Sequence, residues 1–574
     1  MNESVDAVEA AEGRYYVTDT DLSARFPIYT RANVGEVFPD PVTPLTSDTA
    51  LWLAELGWRD AWVRIGAMDE DEFPPDRFAQ LGVQGGYCYL NASVIRLFAE
   101  RAPGLSWRDM DAQFFGAQPG IPDYEEMPGD VRPDLTEKIG ATFTWVFGQT
   151  SLADLTELTE DRDSSRALRA ARPDLSTMSD RELWERYEML LPEHRRLFSH
   201  HLFTTYMATV PLGVISAIAT AVGRPDLIMP LIAGIGDVDS AAPSHAMWAL
   251  SRLPAESAAF DSGFAEFLFE YGSRGPNEWE SRSPTWETRP ALALAAIDRM
   301  RLAPASCDPE LQNAERAELR AAAAAELLAI VEADPATHGQ LAAAIACSAA
   351  WFPGRERTKT NNIRIIHEMR MPMRELGRRM VERGAFDEIE DYGFVRQAEM
   401  SQLLEDPHSL TDEIRRRRDE YQLLQQLIPP FVFVGHAAPP STWERVDAAS
   451  AELLSTGDSL AGLPGCSGVA EGIARVVLDS NDPTSLEPGD ILVAPITDPS
   501  WTPLFVPAAG VVVNVGAPMS HAIIVSRELG IPCVISATAA TRRIPDGARI
   551  RIDGGTGIVT ILDAAPQPMA VTHA

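Results

Sequence analysis

The sequence is poor in basic side chains. Its 49 lysines and arginines stand against 83 aspartates and glutamates, which leaves a net charge of −34 at pH 7. A nucleic-acid partner is not expected, because there is no basic surplus to neutralise phosphates. The acidic balance favours solubility and is compatible with a protein partner that offers a basic docking face.

Cysteines and long apolar runs are scarce as well. The five cysteines are scattered and never stand in Cys-x-x-Cys spacing, so a zinc site is not expected. No uncharged apolar run is long enough to predict a membrane helix, and the N-terminus lacks a basic-then-apolar signal peptide. We therefore expect a cytoplasmic protein with reduced thiols and no membrane contact. The cysteines are Cys88, Cys307, Cys347, Cys466 and Cys533.

A nucleotide-binding loop is missing too, since the sequence contains no Gly-x-x-x-x-Gly-Lys motif. The length of 574 residues is too great for one hydrophobic core and predicts two or three domains. An apolar content of 45% with 23% charged residues is ordinary for a globular protein.

The spacing of apolar residues divides the chain into two parts with different patterns. Up to about residue 430 apolar residues recur at helical spacing, and beyond Ala461 the pattern changes to strands and turns. We predict a multidomain protein in which a large, mainly α domain precedes a small α/β domain. The predicted parts are an N-terminal arm (1–25), the helical domain (26–430), a proline-stiffened hinge (431–460), the α/β domain (461–565) and a tail (566–574).

Individual elements follow from the same periodicities. Long helices are predicted at Ser179–Val222, with interruptions at Pro192 and Pro211, at Glu310–Ala333 and at Lys359–Gly384. Strands are predicted near Gly85–Asn91 and, in the α/β domain, at Gly472–Leu478, Ile491–Ala494, Gly510–Asn514 and the hairpin Ala548–Ile552/Gly557–Leu562.

The stretch from Val515 to Pro532 carries the most specific chemistry. A turn of small residues leads to Ser520 as a predicted helix cap, with His521 in the first helical turn. The unpaired N–H groups and positive dipole end of a helix suit an anion on the imidazole, and the dipole lowers the imidazole pKa so that a neutral nitrogen is available to attack phosphorus. On spacing alone, a histidine that merely caps the helix remains the alternative.

The amino-acid sequence of this stretch resembles that of the phosphohistidine domain of the phosphoenolpyruvate-utilising enzymes. Their signature reads roughly Gly-Gly-x-x-Ser/Thr-His-Ala-x-Ile-Val-x-Arg-x-x-Gly-Ile-Pro, and the resemblance runs from about Ala461 to Leu562. It departs at Ala517, where the family usually has its second glycine. The resemblance implies a swivelling domain whose phosphoryl carrier is His521. The matching residues are Ser520, His521, Ala522, Ile524, Val525, Arg527, Gly530, Ile531 and Pro532.

Two stretches of the helical domain resemble the substrate domain of rifampicin phosphotransferases, a branch of this family. In the first stretch, from Tyr271 to Glu280, Arg274 would bind an anion, and Glu278 would orient it or accept a proton. The alternative is an Arg–Glu pair that only braces the loop. Family members often carry a histidine at the position of Ser273. In the second, Arg355 and Lys359 lie four residues apart at the predicted start of a helix, so that both cations face one point. The resemblance places them at the transfer site, and a solvated basic turn is the alternative.

Two further groups in the helical domain are less specific. The proline-rich stretch from Phe26 to Thr46 predicts a turn-rich loop that also looks like the opening of the family's substrate domain, and its Arg31 is a candidate phosphoryl ligand. His194, His200 and His201 lie on one predicted helix. No carboxylate follows at ligand spacing, so a core or lid role is expected for them and no metal site.

The order of domains predicts half of a split enzyme. The nucleotide-grasp domain usual in this family finds no place before Ala461, and only about a dozen residues follow Leu562, so a separate ATP-grasp subunit is expected to bind Mg·ATP. No cofactor is expected to bind tightly to this chain. The resemblance extends to phenylphosphate synthase and, more closely, to the histidine subunit of 4-methylphenyl phosphate synthase. It implies that His521 takes the β-phosphoryl group of ATP and passes it to a small phenol, releasing AMP and phosphate.

Two alternatives remain open at this point. The acceptor is a rifamycin-like antibiotic in the first, and the chain is a non-catalytic phosphohistidine regulator in the second. In every case Ser520 and Arg527 are expected to support the phosphoryl group beside His521.

Overall fold

The architecture comes from a computed structural model that describes residues 14–115, 121–236, 238–446, 452–478, 486–497, 501–516 and 520–564. Most of the described chain up to Leu424 is helical, and an α/β sheet region follows. We call residues 14–446 the helical body and residues 452–564 the sheet body. The predicted arm, the tail and the Ala517 position of the signature fall wholly or partly outside the described residues.

The helices, in chain order, are α1 (Val34–Val37), α2 (Pro44–Thr46), α3 (Trp52–Ile65), α4 (Ala92–Arg101), α5 (Trp107–Phe114), α6 (Pro133–Val146), α7 (Thr156–Ala170), α8 (Asp180–Ala221), α9 (Ile228–Ile232), α10 (Ala242–Ser251), α11 (Ala258–Tyr271), α12 (Ala291–Leu302), α13 (Pro309–Ile330), α14 (Pro335–Glu382), α15 (Met400–Glu405), α16 (Thr411–Leu424), α17 (Thr502–Phe505), α18 (His521–Leu529) and α19 (Ala540–Arg543). A π-helical turn, Ser47–Leu51, joins α2 to α3.

Two long helices form the centre of the helical body. Helices α8 and α14 pack against one another, and α3 and α7 pack against them in turn. The expected interruptions at Pro192 and Pro211 are wrong, because α8 runs through both prolines. A proline in a helix interior costs about 3 kcal/mol, and burial of α8 against its neighbours outweighs that cost.

Helix α14 also differs from its prediction. It begins at Pro335 rather than near Pro353, so Arg355 and Lys359 lie in its middle and not at its N-terminus. The part of α14 around these residues is buried on nearly all sides, although it is rich in polar and charged residues. Buried charges need partners, and they draw acidic and basic residues from other helices toward this segment.

The helical body carries a small antiparallel sheet at one side. The strands are β1 (Ile28–Thr30), β2 (Leu81–Gln84), β3 (Tyr87–Asn91) and β5 (Val432–Val434), in the order β2-β3-β1-β5. A separate two-stranded ladder pairs β4 (Leu427–Ile428) with β6 (Glu444–Arg445). The predicted hinge therefore starts too early, because its first residues are a strand hydrogen-bonded to β1.

The sheet body is built on one mixed sheet. Its order is β7-β14-β13-β9-β10-β11-β12-β8, in which β9 to β12 are parallel and the flanking pairs are antiparallel. Helix α18 connects the parallel neighbours β11 and β12. The predicted strands and hairpin are confirmed to within three residues. The strands are β7 (Ser459–Ala461), β8 (Leu463–Cys466), β9 (Val469–Val476), β10 (Ile491–Ala494), β11 (Gly510–Val513), β12 (Cys533–Ile535), β13 (Arg549–Asp553) and β14 (Ile558–Asp563).

The two bodies are docked through a shared apolar core. Trp248, Trp286 and Met300 of the helical body lie in the same buried cluster as Trp501 and Phe505 of the sheet body. Helices α10 and α12 contact α17, and α13 contacts α18. This contact brings the N-terminal end of α18 against the helical body.

Helix α8 meets the length and hydropathy criteria of a membrane span, which the sequence was not expected to contain. Half of its most apolar window is buried inside the protein. Core helices that are mostly buried pass the same test, and α8 packs against α3 and α14 at the centre of the helical body.

A glycine in α3 is required by the close approach of α8. A Cβ atom on Gly57 would lie 2.6 Å from the carbonyl oxygen of Arg195. We expect Gly57→Ala to lower the unfolding free energy by about 1–3 kcal/mol, measured by urea denaturation, because the helices must move apart. Gly213→Ala in α8 is the control. Nothing lies within 4 Å of its added Cβ, so it should stabilise the protein by up to about 1 kcal/mol. Equal stability of the two variants would contradict the close approach.

Candidate functional site

The carboxyl edge of the parallel strands positions a histidine and two threonines. Thr497 follows β10, Thr502 opens α17, and His521 opens α18 shortly after β11. Loops after parallel strands meet at one edge of such a sheet, and these three side chains meet there. Gly530, in the left-handed conformation with φ of 67°, ends α18. The predicted helix start and stop are therefore confirmed.

Both ring nitrogens of His521 have hydroxyl partners. Nε2 lies 3.0 Å from Oγ1 of Thr502, and Nδ1 lies 3.1 Å from Oγ1 of Thr497. The ring of Phe505 meets the imidazole edge-on, with centroids 5.7 Å apart. These contacts fix the plane of the imidazole while leaving its protonation to the surroundings.

Ser520 stands at the N-cap position, but its side chain makes no capping hydrogen bond. Its hydroxyl is buried without a partner among the described residues. A carboxylate from the helical body lies there instead, since the backbone N–H of His521 donates to Oε2 of Glu36 at 3.2 Å. The expected cap is thus replaced by a contact between the two bodies, which places negative charge at the helix N-terminus.

His521 faces a cavity of about 130 Å³ in the helical body. Most of its wall is apolar or aromatic, with a smaller number of charged and polar side chains near His521. The aromatic wall is formed by Phe38, Trp58, Phe198 and Trp279, and the polar residues include Glu36, His201, Arg355, Glu356, Lys359 and Thr497. An apolar pocket with a few converging polar groups is the usual form of a small-molecule site.

Arg355 and Lys359 reach this cavity from the middle of α14, as their four-residue spacing predicted. Lys359 Nζ lies 4.0 Å from Oε1 of Glu278, and Arg355 lies 3.4 Å from Glu356. Both side chains are largely buried but retain access to the cavity. They supply two positive charges beside a neutral imidazole.

Arg274 and Glu278 stand behind the cavity rather than in its wall. Arg274 Nε donates to Oε2 of Glu278 at 2.7 Å, and both side chains are almost fully buried, at 2% and 1% exposure. Arg274 also donates to the hydroxyl of Thr360 on α14. The pair therefore braces the loop between α11 and α12 and supplies the carboxylate nearest to Lys359.

His201 is the member of the histidine set that comes closest to the two cations. Its Nδ1 lies 3.1 Å from the hydroxyl of Thr358, and its ring lies 6.0 Å from that of Trp279. His194 also lines the cavity but is bound by Asn362 and the carbonyl of Ala50. The buried, fully bonded ring of His194 fits a core role, whereas His201 is half-buried and borders the cavity.

The surroundings keep the site histidines neutral. Burial, with the nearby charges of Lys359 and Arg274, holds the pKa of His521 well below its ordinary value. Burial and the two cations Arg355 and Lys359 lower the pKa of His201 to about 3. Burial lowers the pKa of Lys359 as well, and Glu278 opposes this effect. A neutral imidazole with a free electron pair can act as a nucleophile or a base.

Two predicted ligands lie away from His521. Arg31 donates to the carbonyl oxygens of Cys88 and Phe38, so it braces the proline-rich loop. Arg527 pairs with its neighbour Glu528 at 3.0 Å and lines a smaller adjacent cavity. Neither side chain lines the cavity that faces His521, so their role as phosphoryl ligands stays a prediction.

Sequence patterns did not single out Glu36, Thr497, Thr502 or Trp279, and they indicated only a core or lid role for His201. Each comes from a separate element, and only the packing of the two bodies brings them together. One compositional signal was available for Lys359, which is one of only two lysines in the chain, the other being Lys138.

Two family descriptions match parts of the chain. Residues 486–557, which include His521, match the mobile domain of PEP-utilising enzymes. Residues 199–356, which include His201, Arg274, Glu278 and Arg355, match the fourth domain of rifampicin phosphotransferase. The α/β identity of the sheet body and its likeness to a mobile domain therefore agree with the prediction.

Individual proteins show the same relationships. An uncharacterised protein of Mycobacterium tuberculosis is 33% identical over 55% of this chain and 33% of its own length. The rifampicin phosphotransferase of Streptomyces sviceus is 28% identical over 70% of this chain and 49% of its own, and that of Bacillus subtilis is 39% identical over 32% and 20%. The chain spans less than half the length of these relatives.

The low pKa of His521 has a consequence for stability. At His521, the unfolded chain binds more protons than the folded one once the pH falls below about 6.5, so this residue makes acidification favour unfolding. We expect His521→Asn to reduce this loss by up to about 1.4 kcal/mol for each pH unit below 6.5. Unfolding free energies from urea titrations at neutral and at mildly acidic pH measure it.

The exposed His408 gives the matched control. His408→Asn should leave the pH dependence of the unfolding free energy as in the wild type. A pH dependence that is the same in His521→Asn and wild type would show that the buried imidazole is not kept neutral.

Proposed function

We propose that this chain is the histidine-bearing and acceptor-binding half of a phosphotransferase of the dikinase type. A separate ATP-grasp subunit binds Mg·ATP and transfers the β-phosphoryl group to His521; AMP leaves, and a water molecule takes up the γ-phosphoryl group, which is released as inorganic phosphate. His521 then passes the phosphoryl group to the hydroxyl of a small phenol such as p-cresol, which leaves as an aryl phosphate. The single observation that carries this proposal is the position of the His521 ring at the mouth of an aromatic cavity lined by Arg355 and Lys359.

Neutrality of His521 suits the first half-reaction. A ring nitrogen attacks phosphorus through its lone pair, so an imidazole that resists protonation is available across the physiological pH range. Thr497 and Thr502 hold the two nitrogens, and one of these hydroxyls must give way when a phosphoryl group is attached. The match of residues 486–557 to the PEP-utiliser mobile domain supports the carrier role.

Charge stabilisation suits the second half-reaction. The phosphoryl oxygens carry negative charge throughout the transfer, and preorganised cations in a water-poor site lower the barrier. Arg355 and Lys359 are fixed on one face of a buried helix, and Glu278 with Arg274 holds Lys359 from behind. In this proposal both cations bind the phosphoryl oxygens. As the new P–O bond forms and the P–N bond breaks, the phenolic proton passes to the imidazole, which returns to its neutral form.

The size of the cavity favours a small acceptor. An engineered apolar cavity of about 150 Å³ binds benzene, and the cavity facing His521 has about 130 Å³. Aromatic side chains on its wall, among them Phe198 and Trp279, suit a planar ring. One substituted phenol therefore fills this space, with its hydroxyl toward His521.

A rifamycin-like acceptor is the second candidate, since several relatives are named rifampicin phosphotransferase. A macrocycle many times the volume of a phenol needs a far wider opening than the docked bodies leave. A non-catalytic regulator is the third candidate. It has no need of an aromatic cavity beside its histidine, so the cavity favours an enzyme.

Delivery of the phosphoryl group requires the sheet body to leave the helical body. One histidine must visit the nucleotide on the partner and the phenol in the cavity, which calls for a swing of the domain that carries it. The docked interface contains a large apolar cluster together with the Glu36 contact to α18. We propose that phosphorylated and free His521 differ in how well they tolerate Glu36, because two anions then compete for one helix N-terminus.

Phosphoryl labelling tests the carrier role. With the partner subunit and ATP labelled at the β position, acid-labile label should appear on the wild-type chain and be absent from His521→Ala. ATP labelled at the γ position should release its label as phosphate. Label that persists on His521→Ala, or a partner that binds ATP without labelling the wild type, would refute the mechanism.

The cation clamp is tested by the discharge step. Lys359→Gln should still accept label from the partner, but transfer to p-cresol should slow by about 100-fold to 1000-fold, because a donor to the transferring phosphoryl group is lost. Lys138→Gln, which changes the other lysine of the chain on an exposed helix, is the matched control and should discharge at the wild-type rate. Equal single-turnover rates in the two variants would remove Lys359 from the transfer site.

Acceptor screening separates the candidates. Discharge by p-cresol and not by a rifamycin supports the phenol, and the reverse supports the antibiotic. Label that no hydroxyl compound discharges would favour the regulator.

A further inference from the structure

A separate cavity, of about 340 Å³, shares no lining residue with the one facing His521. Its wall includes Arg162 of α7, Arg357 of α14, Asp239 and His245 from the segment around the start of α10, and Leu529 at the end of α18. Residues two apart on a helix point to different faces, so Arg357 faces this cavity while Arg355 and Lys359 face the other. The proposed transfer chemistry does not use any of these groups.

Arg357 is buried, and its ion pair among the described residues is a loose one. It is 6% exposed, and the nearest carboxylate is that of Asp239, 3.6 Å away. That distance is beyond a hydrogen bond, and Nε of Arg357 has no hydrogen-bond partner among the described residues. An incompletely paired guanidinium in a buried position is costly, since it has lost water and gained little in return.

Arg162 shows the same deficit. Within the described residues its side chain forms no ion pair or hydrogen bond, and its Nε is buried. Its neighbours on α7 behave differently, because Arg166 pairs with Glu270 and Arg169 pairs with Glu287. In a chain where acidic residues far outnumber basic ones, two arginines that line one cavity without a hydrogen-bonded carboxylate among the described residues call for an explanation.

The nearby carboxylates do not compensate these charges. Burial raises the pKa of Asp239, although Arg357, Arg162 and Arg364 act against this. Glu528, on the opposite wall, is already paired with Arg527. Behind Asp239, burial lowers the pKa of Arg364 to about 10. Among the described wall residues, Arg162 and Arg357 therefore face one carboxylate that is not paired elsewhere, that of Asp239.

We propose that this cavity is a binding site for a small phosphate-bearing anion, held by Arg162 and Arg357. The planar fork of a guanidinium matches phosphate oxygens, and a tetrahedral phosphate can accept from two arginines that approach from different elements. His245, Tyr271 and Asn313 also line the cavity and offer further donors. One water occupies about 30 Å³ of liquid, so the space accommodates an organic group beyond the phosphate.

The position of this site couples the ligand to the docked arrangement. Arg357 belongs to the helix that carries Arg355 and Lys359, and Leu529 belongs to the helix that begins with His521. A bound anion contacts the helical body and the sheet body together. It therefore stabilises their contact, in the way that any ligand favours the state to which it binds.

Calorimetric titration with inorganic phosphate, at constant ionic strength, tests the site in the full-length chain. We expect binding in the wild type and a loss of affinity of about 10-fold or more in Arg162→Gln and in Arg357→Gln, since each removes a charge-assisted contact. Arg166→Gln, on the same helix but exposed and paired with Glu270, is the matched control and should bind as the wild type does.

Two further variants keep the result interpretable. Lys359→Gln should retain this binding, which separates the site from the cavity that faces His521. Arg162→Lys keeps the charge and should bind more tightly than Arg162→Gln, which a mere loss of folding would not produce. Absence of phosphate binding in the wild type, or equal binding in the wild type, Arg162→Gln and Arg357→Gln, would overturn the proposal.

Discussion

The buried ion pair between Arg274 and Glu278 is the interaction on which the site depends. Two almost fully buried charges 2.7 Å apart are stable only together, because removal of either leaves the other without water or partner. The pair holds the loop between α11 and α12 against α14 and gives Lys359 its nearest carboxylate. Much of α14 follows the same rule. Its charged residues are tolerated in the interior because other helices bring carboxylates and arginines to them.

The charges of the helical body also act on the docked sheet body. Lys359 and Arg274 discourage protonation of His521, and Glu36 meets the N-terminus of its helix. The charges around His521 therefore come largely from another part of the chain, the helical body. Its own body contributes two threonine hydroxyls and an aromatic edge, which orient the ring. Reactivity and orientation are divided between the two bodies, so neither is complete without the contact between them.

Local patterns predicted what local structure determines. The strands of the sheet body follow from alternating apolar residues. The start and stop of α18 follow from its cap position and from Gly530, which has a positive φ. Each of these signals lies within a few residues of the element that it determines. The prolines of α8 misled because their cost is met by packing against distant helices. Glu36 and Thr502 could not be predicted for a related reason. They lie 485 and 19 residues from His521 in sequence, and tertiary packing alone makes them its neighbours.

The strand pairing on either side of the boundary limits the length of the linker between the two bodies. Arg445 pairs with Leu427 in a ladder of the helical body, and Ser459 pairs with Thr560 in the sheet of the body that carries His521. The five residues 447–451 between the two bodies reach at most roughly 18 Å when fully extended. With a linker this short, the effective concentration of His521 at the cavity of its own chain lies in the millimolar range. In the phosphoryl transfer proposed above, His521 would then meet the cavity of its own chain far more often than that of another molecule, so the transfer would be insensitive to dilution of the protein.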